Sequence, residues 1–240
     1  MVIVQIYTYY ELEDALAIAE AGADHLGITV LGEKFSGLRA LLSMPKWREV
    51  FERTTLDVVK EIFRAVKGRI KRVLMPLTDD LDELYQMVRE VDPDIVHVIS
   101  DFGGEGLVGI KRRLPEKELM LSIFITPGGW EENKAEYERA LARAPLVDYL
   151  LLDTKIGART GVTGRTHNWD VSRAIVERSP KPVILAGGLN PDNVVRALEY
   201  VRPAGVDACT QLDLYPGKKD LEKVRRFIEV VRSWERRHST

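Results

Sequence analysis

The sequence predicts an α/β fold, a single (β/α)8 barrel of the TIM type over residues 1–240 with a long insertion after its second strand. Three observations carry that expectation. Short β-branched or leucine-rich runs alternate with longer amphipathic ones, and eight such pairs fit within 240 residues. Gly, Asp and Asn recur where the strands hand over to the helices. A parallel barrel assembles its ligand site from such turns, at the C-terminal ends of its strands.

In chain order, strands are expected at 2–6, 25–30, 72–77, 95–99, 119–125, 147–152, 182–186 and 205–209. Helices are expected near 11–21, 56–66, 81–91, 106–113, 131–144, 170–178, 191–201 and 220–235. In the first helix Leu12, Ala15, Leu16 and Ala19 recur at intervals of three and four, the spacing of one helix face. Pro191 behind Asn190 places an N-terminal proline after a capping side chain and predicts a helix start there. Right-handed crossovers between parallel neighbours then close the ring. The competing fold, an open doubly wound sheet, would carry a glycine-rich fingerprint in its first turn. That turn reads Tyr7-Thr8-Tyr9-Tyr10, so the barrel is preferred.

The segment 31–54 is far longer than the two to six residues usual between a strand and its helix. It holds Phe35, Arg39, Trp47 and Phe51, which a purely solvated linker would not. It is read as an active-site lid or a subunit contact, and a homo-oligomer is one expectation. There is no short repeat, low-complexity tract or dividing linker.

Composition narrows the function classes. Hydrophobic content of 45% and charged content of 30% describe a globular chain with ample core material. The 35 basic and 37 acidic side chains leave a formal charge of -2, with no global bias toward nucleic acid. Cys209 is the single cysteine, so neither an intrachain disulfide nor a cysteine-rich metal site is expected. The chain opens directly on a strand pattern without a signal-peptide arrangement, and no uncharged run approaches the roughly 18–20 residues that span a bilayer. A cytoplasmic protein with no membrane partner, no metal and no cofactor is expected. Abundant Glu, Lys and Arg with few Gln, Asn and Cys also resembles the composition of thermophile proteins.

The strand-end turns carry the candidate chemistry. Gly187-Gly188 with Asn190 follows the seventh strand, where glycines let backbone N–H groups approach an anion and a helix start favours negative charge. A plain tight turn explains the pair equally well. Thr210 and Gln211 after the eighth strand can donate to phosphate oxygens. Asp153 ends the sixth strand, and burial there would suit it to acid–base work, though a turn or capping aspartate is the commoner outcome. Gly164, Arg165 and Thr166 form a loop able to close on a ligand, or a mobile surface loop. His97, Ile99 and Asp101 share one side of the fourth strand. A hydrogen-bonded core histidine is the plainer reading of His97. His25 is assigned to strand packing, His167 to an exposed loop and His238 to a frayed tail. Tyr7 faces inward with Gln5, and a phenol of pKa near 10 is a poor base unless something lowers it. Filling the barrel mouth is its default role.

Particular strings go further. Leu151-Leu-Asp-Thr-Lys155, Gly161-Val-Thr-Gly-Arg-Thr-His-Asn-Trp169, Ala186-Gly-Gly-Leu-Asn-Pro-Asp-Asn193, Val206-Asp207 and Pro216-Gly-Lys-Lys-Asp220 dominate the final third. Leu12-Glu-Asp-Ala-Leu16 and Ala21-Gly-Ala-Asp-His-Leu-Gly27 stand near the start. With these motifs the chain resembles the phosphoribosylanthranilate isomerase family, while 31–144 agrees only in strand–helix rhythm.

The resemblance implies an Amadori rearrangement of an aminoaldose phosphate to a 1-amino-1-deoxyketose phosphate, without metal or organic cofactor. It implies Asp153 as the general acid. The family's cysteine base, in a Lys-Ile-Cys-Gly pattern, is replaced by Gln5-Ile6-Tyr7-Thr8. Its Gln-x-His becomes His97-Val98-Ile99, and its Ser-Ser-Gly becomes Cys209-Thr210-Gln211. Asp101 or an activated Tyr7 is the candidate substitute base. A small phosphorylated metabolite is expected on Gly187, Gly188, Asn190, Thr210 and Gln211. Arg39, the candidate for the family's second-turn arginine, joins His97, Gly164, Arg165 and Thr166 on the rest of the substrate. Two other readings stand beside this one: a non-catalytic sensor derived from the family, and a different barrel reaction. An aldolase would want a buried lysine at a strand end, and Lys155 is expected beyond the sixth strand.

Overall fold

Alternation along each strand decides the architecture. In β1 (Ile3–Thr8), Val4 and Ile6 join the apolar layer beneath the helices, while Ile3, Gln5 and Tyr7 face the barrel interior. β2 (His25–Leu31), β3 (Lys71–Leu77), β4 (Ile95–Val98), β5 (Glu118–Ile125), β6 (Tyr149–Ile156), β7 (Val183–Leu185) and β8 (Gly205–Ala208) continue the pattern. They pair in parallel in sequence order, and β1 closes on β8 with Ile3 opposite Gly205 and Gln5 opposite Asp207. This computed structural model describes residues 1–36, 45–157, 159–160 (backbone) and 163–238.

The helices are α1 (Leu12–Glu20), α2 (Pro45–Arg53), α3 (Leu56–Ala65), α4 (Leu81–Val91), α5 (Gly103–Arg113), α6 (Trp130–Arg143), α7 (Trp169–Arg178), α8 (Val194–Val201) and α9 (Leu221–His238). Their starts follow local chemistry. Asp80 accepts from the Glu83 N–H at 2.9 Å, and Asn168 accepts from Asp170 and Val171, which supplies partners for N–H groups a helix leaves free. Two apolar layers result. A large one lies between strands and helices, and a small one of Val73, Ile95, Met120, Leu151, Ile184 and Ala186 fills the interior with Tyr7.

Several expected boundaries move. Asn190 does cap, accepting from Asp192 and Asn193, but Pro191 opens a turn and α8 begins only at Val194. β6 runs to Ile156 and folds back on Arg159–Thr160, so Lys155 lies within the strand, where it is exposed. A hairpin of Asp213–Tyr215 with Lys218–Lys219 follows β8. It is pinned to α1, because buried Asp14 accepts from Lys218 Nζ at 2.7 Å and the Lys219 N–H at 2.8 Å.

The insertion contains α2, a helix beyond the eight that the sequence predicts. Trp47, Val50 and Phe51 fall on one face and pack with Tyr9 and Leu77 over the β1–β3 side of the mouth. Tyr9 meets Trp47 edge-on at 5.7 Å. Truncating a buried aromatic of this kind costs about 3 kcal/mol. Phe51→Ala is therefore expected to lower the urea-unfolding free energy by about that amount. A loss below about 1 kcal/mol would mean that α2 rests on the barrel without anchoring there.

Candidate active site

The C-terminal ends of β6, β7 and β8 meet in a small cleft of about 40 Å³, lined by Asp153, Gly164, Gly187, Gly188, Asp207, Cys209, Thr210 and Gln211. The turn after β7 has its shape because both glycines hold φ near +85° and +64°. A Cβ on Gly187 would stand 2.2 Å from Thr154 Oγ1, and one on Gly188 would stand 2.6 Å from the Arg165 backbone. The pair therefore admits the loop after β6 as well as any ligand. Thr154 donates to the Arg165 carbonyl at 2.7 Å and Gln211 donates to the Gly164 carbonyl at 2.7 Å, which draws that loop across the cleft. Arg165 itself is exposed and Thr166 half-buried. A larger groove of about 1150 Å³ lies outside the barrel beside α2, α3 and α4, lined by mixed charges such as Lys34, Glu83 and Glu90, and it touches none of the strand-end acids.

Two carboxylates face the cleft. Asp153 keeps some contact with solvent, yet the surrounding protein raises its pKa to about 6, against the bond it accepts from the Thr154 N–H at 2.7 Å. Asp207 is 7% exposed, and burial, then the charge of Asp153, push it up to about 8. Its Oδ1 is buried with no hydrogen-bond partner among the described residues. Sequence reading placed Asp207 in a matching motif and gave it no role; its one signal was an acid at the mouth end of an otherwise apolar strand.

Tyr7 departs from the expectation of an activated base. It is 5% exposed, and burial, then the nearby acidic groups of Asp207, Cys209 and Asp153, raise its pKa well above 10. Its hydroxyl pairs with His97 Nδ1 at 2.5 Å, and His97 Nε2 pairs with Ser122 Oγ at 2.8 Å. Both His97 nitrogens are thus engaged inside the wall, and burial lowers its pKa to about 3, so it stands there as a neutral, hydrogen-bonded link. Asp101 is also displaced from its expected place. β4 ends at Val98, and the exposed Asp101 carboxylate accepts from the Gly103 N–H and lies 4.0 Å from Arg139. Asn190 spends its side chain on the helix start described above, and its backbone N–H donates to Asn193 Oδ1 at 2.9 Å, so both are engaged within the turn. Arg39 lies outside the described residues.

Cys209 ends β8, but burial holds its thiol up to about 12 even with Lys219 nearby, so no thiolate base replaces the missing one. Its Sγ sits 3.0 Å from the Tyr9 hydroxyl. Lys219 is spent on buried Asp213 and the Cys209 carbonyl. His167, expected on an exposed loop, is 6% exposed and bonds Thr154 and Ser172, fixing the loop base. His25 packs as expected, against Gln5, and His238 stacks on Trp234 in the last turn of α9. Among the described residues no cluster of three or more His, Cys, Asp or Glu is placed to hold a metal, and no helix is long and apolar enough to cross a membrane.

These shifts fix how stability responds to pH. Folded-state pKa values lowered to about 3 make His97 and His167 stabilising above their ordinary 6.5, with that contribution lost as pH falls. Asp207 has the opposite sign: raised from 3.8 to about 8, it contributes stability below 3.8 that is lost as pH rises through 8. Asp153, raised to about 6, is largely ionised by pH 6.5. Between pH 7.5 and 8, where the histidines have lost most of their protons in the unfolded chain as well, the Asp207 contribution dominates, at about 1 kcal/mol per pH unit. Asp207→Asn is expected to flatten that slope in unfolding free energy, and an unchanged slope would place the titrating proton elsewhere.

The chain is similar to known proteins over nearly its whole length. Residues 80–230 match the profile of the family described as PRAI, N-(5'phosphoribosyl)anthranilate (PRA) isomerase. The N-(5'-phosphoribosyl)anthranilate isomerase of Methanocella arvoryzae is 35% identical over 220 residues, covering 92% of this chain and 93% of that protein. That of Aquifex aeolicus is 33% identical over 236 residues, covering 97% and 100%. Among solved structures, phosphoribosyl anthranilate isomerase from Thermotoga maritima superposes with a TM-score of 0.78 at 25% identity, covering 97% of this chain and 100% of that one. The eight-stranded barrel agrees with this likeness, and the chain belongs to the phosphoribosylanthranilate isomerase family.

Proposed function

We propose that the chain isomerises a phosphorylated aminoaldose, phosphoribosylanthranilate in the strict form, to the corresponding 1-amino-1-deoxyketose phosphate. The observation that carries this reading is Asp153, a carboxyl raised to about 6 at the end of β6 and set over the Gly187–Gly188 turn. Such a group is divided evenly between its acid and ionised forms near pH 6, where an ordinary carboxyl has lost its proton, and it is a good donor there. The relatives' shared name supplies the substrate class.

The phosphate group sits against the backbone of Gly187 and Gly188, with Thr210 and Gln211 donating from the turn after β8. Its oxygens compete with the Gly164 carbonyl for the Gln211 amide, so binding and a shift of the Gly164–Thr166 loop go together. Asp153 gives its proton to the furanose ring oxygen as the C1–O bond breaks, and the nitrogen lone pair forms C1=N. Loss of the C2 proton then gives an enaminol, which becomes the ketose.

Purified protein is expected to convert phosphoribosylanthranilate, followed by the loss of its fluorescence, and to restore growth of a tryptophan auxotroph lacking the isomerase. No growth at any expression level rejects the strict form. Binding of sugar phosphates without product would favour a non-catalytic sensor. Asp153→Asn is expected to lower kcat by about 10²–10⁴-fold, and unchanged turnover would remove the acid role. Gly188→Ala, strained at its positive φ and against the Arg165 backbone, is expected to raise KM by about tenfold, or about 1.4 kcal/mol of binding. An unchanged KM would move the phosphate away from this turn.

A further inference from the structure

A family fold that reacts by acid and base here presents an acid without the expected base. Tyr7 is buried and bonded to His97, Cys209 is held as a thiol, Asp101 faces Arg139, and Lys219 is locked to Asp213. Asp207 is the remaining group with proton-transfer chemistry in the cleft. We infer that Asp207 is a second catalytic residue, paired with Asp153 across the β7 turn so that the two carboxyls share one proton and supply acid and base between them. The inference rests on the isomerase reading above.

Register puts the two at one level. Leu152 pairs with Leu185 and Leu185 with Val206, so Asp153, Ala186 and Asp207 each stand one residue further along adjacent strands. All three point inward, because residues of one strand alternate between the faces. On β7 the residue at that level is Ala186, part of the interior cluster, so that strand offers no bulky side chain to separate them. Asp207 Oδ1, buried and unpartnered among the described residues, leaves an acceptor site for a substrate proton. The groups facing Asp207 are Asp153 from β6, Tyr7 and Gln5 from β1, Cys209 at the end of its own strand, and Lys219 from the following hairpin. Of these, Asp153 raises its pKa while Gln5 and Lys219 lower it, and burial outweighs both. Like charges in one low-dielectric space do not ionise together, so near neutrality the pair holds one proton.

One proton on two carboxyls is the count the reaction needs. In the reactive arrangement the shared proton stands on Asp153, which gives it to the ring oxygen as C1–O breaks and C1=N forms, and Asp207 is the ionised member. The ionised member takes the C2 proton; the C2–H electrons form C1=C2 and the C1=N π pair returns to nitrogen. In the final tautomerisation the pair gives a proton to C1 and takes one from the C2 hydroxyl. It ends with the proton it began with.

The test combines two readouts on wild type, Asp153→Asn, Asp207→Asn and Asp207→Glu. Carbon-13 NMR of aspartate-labelled protein follows both carboxyls against pH, and steady-state kinetics with phosphoribosylanthranilate gives kcat, KM and their pH profiles. Removing Asp153 is expected to lower the Asp207 titration midpoint. Asp207→Asn is expected to cut kcat by about 10²–10⁴-fold with KM little changed, to abolish the acid limb and to move the alkaline limb down toward the Asp153 value of about 6, with partial recovery in Asp207→Glu. An Asp207 midpoint indifferent to Asp153, or wild-type kcat and pH profile in Asp207→Asn, overturns the shared-proton pair while leaving the isomerase reading intact. Coupled titration without wild-type turnover overturns the isomerase reading and the catalytic role of Asp207 with it.

Discussion

The Tyr7 ring lies directly on Gly27, where a Cβ would come within 2.6 Å of three ring carbons. A closed eight-stranded barrel has interior room for only a few side chains per layer, so a phenol on β1 requires a vacancy on β2. Gly27 provides it. The ring can then reach across to His97, and His97 to Ser122, linking β1, β4 and β5 through one buried chain of hydrogen bonds. Once that half of the mouth is filled and its polar atoms paired, the candidate site lies in the cleft at the ends of β6, β7 and β8.

Desolvation governs that surface. Burial is the first cause of the shift at Asp153, Asp207, Cys209, Tyr7 and His97, and in each case it favours the uncharged form. Acids keep protons they would lose in water, and histidine loses the proton it would otherwise hold in acid. A single physical cause therefore removes the phenol, thiol and imidazole from catalysis near neutrality. It leaves the two carboxyls, whose values of about 6 and about 8 bracket that range.

Much of the scaffold was legible in sequence because it depends on local periodicity. The eight strands, Asp153 and the glycine turn follow from apolar runs and punctuation that any reader of the chain can count. α2 was legible too, since Trp47, Val50 and Phe51 recur at helical spacing behind Pro45, but the length of the connection drew attention away from that face. What escaped was tertiary. Nothing local says that β4 stops at Val98 and turns Asp101 outward, or that His167 is drawn under its loop by Thr154 and Ser172. Nor does sequence weigh Asp207 above any other strand-end acid, because its shift comes from burial and from Asp153, 54 positions away.

The Pro216–Asp220 and Leu12–Leu16 strings also change meaning once their partners are known. Asp14 holds Lys218 and the Lys219 backbone, and Lys219 Nζ turns inward to Asp213 and the Cys209 carbonyl, near the face of Tyr9. A buried ammonium beside a carboxyl ordinarily favours ionisation of that carboxyl. Lys219 does act on Asp207 in that sense, but its proton-rich end is already committed to Asp213, and Asp207 stays raised. The hairpin thus closes the seam between β8 and β1 with a paired charge and leaves the neighbouring carboxyl its proton. Structural cation and reactive acid occupy one end of the barrel without neutralising each other, because Asp213 stands between their roles.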